Sequence, residues 1–586
     1  MEKEKRIAVI DRTLCTREIC GYACIHVCPV NRMNKDCIIM EKETNYPVIS
    51  EQLCVGCGLC PKRCPVSCIK IINLSKDLGL PIYQYGKNSF RLYGLPLPSE
   101  ELKGAVSLVG KNGLGKTTAL QLLSNHIIPN FGDISKKYTL QEAVQTMKPE
   151  MKKYFSSLDN NLKISIKPQA IAKLREAFKG KVSSLLSKTI PKEKLSFIIE
   201  LFNLKNIVNR QVVHLSGGEL QKLSIAIAYS KDADIYYFDE ISNFLDIYER
   251  LHLSILLKDF SETHSVLLVD HDLTLLDYVS NYVYLFYGEE SVYGVVSGLK
   301  SVRTGINEYL SGYFSSENIR FRDYEISFLL KSETERKSKI KFTYTKLEKK
   351  FPDFKFSSGA GDIREGEVIG IVGKNAIGKS LFIKMLAGTE KPDKGEGASF
   401  SIAYKPQYLE PEKITVKDFL KTKKTIPSVL ELCKRELKLN HLSEKKLNKL
   451  SGGELQRVFL ARTLSTEADV YLFDEPSAFL DIEQRFAFSK LLKQVINDTS
   501  KSAFVVDHDI VFVDFISNRI IPFEGESSVF GHAGPPLPKK EGMNKFLSIV
   551  DITMRRDKDS NRPRINKPES QLDREQKSSG QYYYST

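Results

Sequence analysis

The sequence predicts an α/β chain in which a small cysteine-rich α+β module precedes two copies of one P-loop nucleotide-binding domain. Three observations carry that prediction: two clustered cysteine runs, a set of motifs that occurs twice in one order, and apolar runs that end in Asp–Glu. A chain of 586 residues exceeds what one core organises, so roughly three or four domains are expected. With 42% hydrophobic and 27% charged residues the composition is that of a globular protein, which excludes a fibrous or wholly disordered chain. No apolar run is long enough to cross a membrane, and the start "MEKEKRIAVID" lacks the apolar stretch of a secretory signal. A cytoplasmic location without membrane association is therefore expected. The formal charge of +14 suits a phosphate-rich partner such as RNA, or simply a solvated basic surface.

The cysteine module comes first. All cysteines but Cys433 lie between Cys15 and Cys68. Without an export signal a disulfide framework is not expected, and the spacings are those of metal ligands. "CVGCGLCPKRCP" sets Cys54, Cys57, Cys60 and Cys64 in C-x2-C-x2-C-x3-C-P, the run that wraps a [4Fe–4S] cluster in bacterial-type ferredoxins. "CTREICGYACIHVCP" is a looser run of Cys15, Cys20, Cys24 and Cys28. In two-cluster ferredoxins the fourth cysteine of each run ligates the other cluster. Cys15, Cys20, Cys24 and Cys64 are thus assigned to one cluster, and Cys54, Cys57, Cys60 and Cys28 to the other. Zinc also takes four thiolates at short spacing, but the triplet with a later Cys–Pro favours iron–sulfur. Cys37, Cys68 and Cys433 fit neither run and read as small buried hydrophobes. Such clusters would carry electrons, or would staple a module too small for much core.

The duplicated engine follows. "GKNGLGKTT" at 110 recurs as "GKNAIGKSL" at 373, and "KPQ" at 167 recurs at 405. "LSGGELQK" at 215 returns as "LSGGELQR" at 450, "IYYFDEISNFLD" at 235 as "VYLFDEPSAFLD" at 470, and "VDHD" at 269 again at 506. In a P-loop the glycines let backbone N–H groups cradle phosphates at a helix N-terminus. Gly110, Asn112, Gly113, Gly115 and Thr118 belong to the first cradle; Gly373, Asn375 and Gly378 belong to the second. Lys116 and Lys379 reach the β- and γ-phosphates, while Thr117 and Ser380 offer hydroxyls to Mg2+. The apolar runs read as buried parallel strands that place Asp239 and Asp474 near Mg2+. Glu240 and Glu475 then stand where each polarises an attacking water. His271 and His508 face the γ-phosphate, and Gln169 and Gln407 sense Mg2+ and water. The interval from P-loop lysine to glutamine is about 25 residues longer in the first copy, an insertion that reads as two short helices broken near Pro149. It is either a partner contact or a tolerated surface addition.

P-loop, glutamine, LSGGE, Asp–Glu strand and histidine together resemble the ABC ATPases. The fold class is then α/β: two tandem ABC-type P-loop nucleotide-binding domains preceded by an α+β ferredoxin-like iron–sulfur domain. Family resemblance implies head-to-tail pairing, an internal pseudo-dimer within a monomer. Site one would join Lys116 and Glu240 to Ser451, Gly452, Gly453 and Glu454; site two would join Lys379 and Glu475 to Ser216, Gly217, Gly218 and Glu219. With the cysteine module, "GINEYLSGY" near 305 and the tail from "GMNKFLSIVDITMRRD" onward, the chain is similar to the E-type ABC proteins, or RNase L inhibitor family. These are ribosome-recycling ATPases. The resemblance covers nearly the whole chain.

It implies ATP, Mg2+ and two [4Fe–4S] clusters as ligands. It implies as partners the ribosome, chiefly its small subunit and rRNA, and a release-factor-like protein in the A site. It implies a cysteine domain at 1–76, ATPase domains at 77–291 and 326–530, a hinge at 292–325, and a C-terminal hinge and basic tail at 531–586. The insertion near 138–162 would touch the small subunit, Tyr85 and Phe90 would stack on adenine in site one, and Tyr344 would do so in site two. Closure of the ATPase lobes on ATP would swing the cysteine module and split the subunits. An ATP-coupled iron–sulfur electron carrier and the detached energy module of a transporter are the alternatives, and each leaves some modules unexplained.

Four departures from the family pattern stand out. Ile241 replaces Pro after the first Glu, Ala376 replaces a P-loop Gly, both histidine motifs read V-D-H-D, and "KPEMKKYF" replaces the usual insertion sequence. The last residues, from Arg562 on, read as partly disordered by composition.

Overall fold

The computed structural model describes residues 6–73, 78–98, 104–160, 162–328, 339–396 and 400–584. The boundary expected at 76/77 lies outside the described residues. In the first copy, strand Ala105–Gly110 pairs in parallel with Ser265–Val269 on one side and Ser280–Glu289 on the other. Ile235–Asp239 and Ile164–Lys167 extend the parallel run. Strands Tyr83–Gln84 and Arg91–Tyr93 form an antiparallel pair at the far edge. The second copy repeats this order strand for strand, from Glu348–Lys350 and Lys355–Ser358 at one edge to Ile402–Lys405 at the other. Ile235–Asp239 and Val470–Asp474 are buried along their whole length, as apolar runs covered on both faces require.

Around these sheets the order is set by local chemistry. Ser216 and Ser451 cap the helices Gly217–Ser230 and Gly452–Ser465 through capping boxes with Glu219 and Glu454. In the insertion, Thr139 caps Leu140–Thr146 in the same way, and Pro149 opens the helix Pro149–Asp159, where its missing N–H costs nothing. Tyr154 and Phe155 of that helix are buried, and the Tyr154 hydroxyl bonds Tyr237 of the sheet at 2.6 Å.

The cysteine module is built from two antiparallel pairs, Arg6–Ile10 with Ile69–Asn73 and Ile38–Met40 with Pro47–Ile49. Short helices Ala23–Val27 and Leu59–Arg63 carry cysteines of both runs. Among the described residues no helix is long and apolar enough to cross a membrane.

The segments that follow each sheet cross onto the other copy. Phe328, after the first copy, packs its ring against Phe486 and Phe515 of the second. Arg564, near the C-terminus, donates two hydrogen bonds to Asp277 of the first copy at 2.6 and 3.0 Å. The tail corrects the expectation of disorder: Pro563–Ile565 is a strand, Gln571–Ser578 a helix capped by Ser570, and Tyr583 and Tyr584 are buried against Asp514. Polar composition is overridden there by specific ion pairs and two buried rings.

Candidate functional site

Each P-loop helix begins with a glycine in the left-handed region, Gly115 at φ +90° and Gly378 at φ +96°. Lys116 is buried, and its Nζ donates to the carbonyls of Gly110 and Lys111, both at 2.7 Å. Lys379 makes the equivalent bonds to Gly373 and Lys374. Burial pulls both ammonium groups below the usual lysine range, Lys379 to about 8, against the opposing pull of nearby carboxylates.

Behind each P-loop lie the Asp–Glu pairs. The Thr117 hydroxyl stands 3.5 Å from Asp239. Asp474 lies beside the Ser380 hydroxyl, yet neither of its buried oxygens closes a hydrogen bond. Burial, then the charge of the adjoining glutamate, pushes Asp239 up to about 7 and Asp474 up to about 6. Buried carboxylates beside a hydroxyl are donors that fit a hard divalent cation such as Mg2+. Glu240 and Glu475 sit at φ +51° and +49°. Non-glycine residues held in this region store backbone strain, which gathers at functional positions. Gln169 donates to Glu240 at 2.5 Å and Gln407 to Glu475 at 2.6 Å.

The histidines part company. His508 lies 3.4 Å from Glu475, whereas Nε2 of His271 meets Asn112 at 2.9 Å. Burial works to raise Glu475, but the His508 bond and charge outweigh it, and its carboxyl falls below the ordinary range. For Glu240 burial and then Asp270 raise the carboxyl.

Two residues that sequence reading passed over support these pairs from below. Lys167 and Lys405, the lysines of "KPQ", are wholly buried. Lys167 donates to the carbonyls of Asp239 and Glu240, both at 2.8 Å; Lys405 does the same for Asp474 and Glu475 at 2.8 and 3.1 Å. The signal was present as an identical lysine two positions before each glutamine.

The copies face each other through the segment after each Asp–Glu pair. Asn112 donates its backbone N–H to Asp481 of the second copy at 3.0 Å, and Asn375 donates its own to Asp246 of the first at 2.6 Å. Each P-loop amide thus meets a carboxylate from the opposite copy, in the role a phosphate oxygen takes in P-loops generally. These hydrogen bonds between copies run to Asp246 and Asp481, not to the signature serines. The signature glutamates are turned inward: Glu219 and Glu454 accept the backbone N–H of Ser216 and Ser451 and pair with Arg210 and Lys445. Glycine is required at Gly218 and Gly453, where a Cβ would meet the carbonyl oxygens of Phe244 and Phe479 at 2.8 and 2.9 Å.

Tyr85 and Phe90 reach the first P-loop. The Tyr85 hydroxyl lies 3.1 Å from that of Thr118, and the Phe90 ring lies against Gly115. Tyr344 requires a correction. It is buried in the core with its ring against Phe382 and Phe504, out of reach of a base. Strand register identifies the counterparts missed in the sequence: Phe354 corresponds to Phe90 and Phe351 to Tyr85, although at Gly378 the nearest ring is Phe356, the counterpart of Leu92, with Phe354 just beyond it. "FPDFKF" is a shortened form of "YGKNSFRL". Ala376 sits at φ +57° and carries the strain that a glycine would avoid. Ile241 has its own reason, because its N–H donates to Asp270 at 3.0 Å, a bond that Pro476 lacks the hydrogen to make.

In the cysteine module, Cys15, Cys20, Cys24 and Cys64 line one cavity together with Cys68. Burial, then the nearby thiols of Cys54 and Cys57, and less strongly Cys28, push Cys60 up to about 12. The two groupings are thiol-only donor sets, which fit iron–sulfur ligation. Among the described residues no three His, Cys, Asp or Glu side chains converge tightly enough to hold a single metal ion. Cys37, Cys68 and Cys433 are buried, as small packing residues should be, and the Cys68 sulfur lies 3.4 Å from that of Cys64.

Comparison with known proteins completes the site. The family model described as ABC transporter matches residues 101–243 and 358–478. The chain is 38% identical to the translation initiation factor RLI1 of Saccharomyces cerevisiae, over all of this chain and 99% of that one. It is similar to the ABCE1 chain in a model of ribosome-bound archaeal Pelota and ABCE1, with a TM-score of 0.94, 43% identity and full coverage of both chains. It is also similar to a chain in the crystal structure of archaeal ribosomal stalk protein aP1 with the archaeal ribosome recycling factor aABCE1, with a TM-score of 0.80, 42% identity, and coverage of 87% of this chain and 100% of that one. Two facing P-loop ATPase copies behind a cysteine module, matched along the full chain by RLI1 and by the ribosome-bound relative, place the chain in the E-type ABC ATPases, the RNase L inhibitor family.

Proposed function

We propose that this chain is an ATP-driven ribosome-recycling factor. The observation that carries the reading is the pair of facing P-loops, each meeting a carboxylate of the opposite copy, in a chain that aligns in full with a ribosome-bound relative. ATP phosphates compete with Asp481 and Asp246 for the amides of Asn112 and Asn375. Binding therefore displaces a contact between the lobes and rebuilds their interface around nucleotide. A ligand drives such a change only by its preference for one state. Lys116 and Lys379 hold the phosphates, Glu240 and Glu475 orient the attacking water, and His271 and His508 face the γ-phosphate. Thr117 with Asp239, and Ser380 with Asp474, would hold Mg2+, which would supply positive charge against the transferred phosphoryl group.

The domain plan follows the same reading: a cysteine domain to residue 76, ATPase domains at 77–291 and 326–530, and hinges at 292–325 and 531–586. Two [4Fe–4S] clusters, held by the eight cysteines assigned above, would supply internal cross-links to a module with little core. Closure moves that module as a rigid lever between the ribosomal subunits, and hydrolysis reopens the clamp. The insertion supplies the small-subunit contact; Lys136, Lys137, Lys148 and Lys152 on and beside it are exposed, as RNA phosphate contacts require. A release-factor-like protein in the A site is the expected partner of the lever.

Co-sedimentation with small ribosomal subunits under anaerobic conditions tests the reading. Binding with a non-hydrolysable ATP analogue but not with ADP, weakening steeply with salt, is expected. Equal binding with both nucleotides, or none, would remove the clamp.

A further inference from the structure

The two sites differ most in what holds the loop that carries their aromatic residues. In site one the loop from Tyr85 to Phe90 is threaded into the cysteine module. Asn88, buried and at φ +49°, forms the tip. Its side-chain oxygen accepts the N–H of Ile49 at 2.8 Å, and its amide donates to the carbonyls of Ala8 at 2.9 Å and Ile49 at 3.0 Å. Its own carbonyl accepts the N–H of Ile10 at 2.9 Å. Glu51 of the module fastens the far end of the loop, accepting from Arg91 at 2.9 and 3.0 Å and from the Ala8 N–H at 3.0 Å. Beneath these bonds Ile7 and Val9 pack against Tyr93, Val292 and Val295.

The other side of the same loop reaches the nucleotide pocket through Tyr85 on Thr118 and Phe90 on Gly115. In site two the corresponding loop is shorter; the Phe351 N–H on the Phe354 carbonyl at 2.8 Å closes it as the Tyr85 N–H on the Phe90 carbonyl at 3.3 Å closes the loop of site one, but it has no counterpart of Asn88. Its neighbour Lys350 bonds Asp393 of its own domain.

We propose that this loop is a latch: docking of the cysteine module through Asn88 preorganises the adenine platform of site one, so that adenine binding there and module docking stabilise each other. The proposal rests on the assignment of Tyr85 and Phe90 to adenine that the family resemblance implies, within the ATPase reading under Proposed function. Phe90 is two residues from Asn88 in a loop pinned at both ends. Withdrawing the module removes every side-chain partner of Asn88 and leaves its left-handed backbone without support. By linkage the effect is reciprocal: whatever affinity for adenine the docked module adds, bound adenine adds to docking. A swing of the module then lowers adenine affinity in site one and leaves site two untouched.

The chain has no tryptophan, so Tyr85→Trp creates a lone indole that reports on site one alone. ATP is titrated into the full-length protein carrying this reporter, with and without Asn88→Gly. The glycine keeps the left-handed backbone and deletes the side-chain bonds. Inorganic tripolyphosphate, which has no base, is then titrated in competition. Weakening of ATP at site one by roughly 5-fold or more, at unchanged tripolyphosphate affinity, is expected from typical coupling between sites. Glu51→Gln, which keeps shape but weakens the hold on Arg91, should move ATP in the same direction by less.

Unchanged ATP affinity in both variants, or equal loss of ATP and tripolyphosphate, would overturn the latch. Phe90→Ala separates the two readings. If it weakens ATP over tripolyphosphate while Asn88→Gly does not, the platform stands and the latch falls. If it does not discriminate, the adenine assignment itself fails and takes the latch with it.

Discussion

Site one and site two carry the same motifs and different neighbours. In site one, Lys111 of the P-loop pairs with Glu483 of the second copy at 3.0 Å. Glu483 is buried, and also accepts from Arg322 at 3.0 Å and Tyr324 at 3.0 Å, residues of the segment that joins the copies. In site two the P-loop lysine Lys374 lies over the ring of Tyr248, 4.7 Å from its centre. Tyr248 is the positional counterpart of Glu483, yet it is exposed. One substitution at a duplicated position thus decides which P-loop is wired to the connecting segment. Duplicated motifs set the chemistry available at both sites; residues beside the motifs set what each site reports to.

The largest effect tests whether the chemistry is shared. Replacing both glutamates, Glu240→Gln with Glu475→Gln, should cut ATP turnover by roughly 100- to 10,000-fold, the usual contribution of a positioned general base. Steady-state phosphate release measures it, and retention of a tenth of the activity would show that these residues do not activate water.

Glu483→Ala should destabilise the protein by about 3–5 kcal/mol, since it leaves Arg322 buried without its charge partner. Tyr248→Ala should cost only about 0.5–1 kcal/mol, the value of an exposed cation–π contact. Equal losses in denaturant unfolding would erase the asymmetry.

The single glutamate variants sharpen the comparison through pH. Glu475→Gln leaves site one intact, and Glu240→Gln leaves site two. A cation requires the carboxylate form, and burial raises both aspartates, so Mg2+ affinity is full above each folded pKa and falls as pH drops through it. Tenfold loss per pH unit is expected below about 7 where Asp239 serves, and below about 6 where Asp474 serves. Mg2+ dependence of single-turnover hydrolysis across pH 5–8 reads this fall in each variant, and a profile that stays flat down to pH 5 would refute it.

Smaller effects concern the departures from the family pattern. Ile241→Pro removes an N–H donated to the Asp270 carboxylate and should cost about 1.5–3 kcal/mol. Ala376→Gly relieves roughly 1–2 kcal/mol of left-handed strain. The glycine also frees the unfolded chain by roughly 0.4–1 kcal/mol, so the net stabilisation should stay near 1 kcal/mol or below. Thermal unfolding distinguishes both from no change.

What the sequence made legible was whatever is local or repeated. The P-loops, the Asp–Glu strands and the capping boxes follow from short spacings, and the duplication extends to every strand of the second sheet. What it hid depends on partners far along the chain. Asp481 is unremarkable in sequence until it lies on Asn112, and Asn88 looks like a turn residue until it enters the cysteine module. Tyr344 is an aromatic upstream of the second P-loop, as Tyr85 is of the first, but only strand register separates a core ring from a platform ring, and by register Phe354 is the counterpart of Phe90. The tail misled for a related reason: the stretch from Arg562 on reads as partly disordered by composition, whereas Asp277 of the first copy holds Arg562 and Arg564.

The crossing of the two end segments makes the halves mutually incomplete. Phe328 leaves the first copy to sit among aromatic side chains of the second, and Arg564 returns from the second to an aspartate of the first. This is an exchange of end pieces within one polypeptide, the intramolecular equivalent of a domain-swapped dimer. Neither half is then a free-standing unit, and the stability of each is inseparable from the presence of the other. Two fragments made by breaking the chain between the copies should therefore find each other when expressed together, and each should be poorly folded when expressed alone.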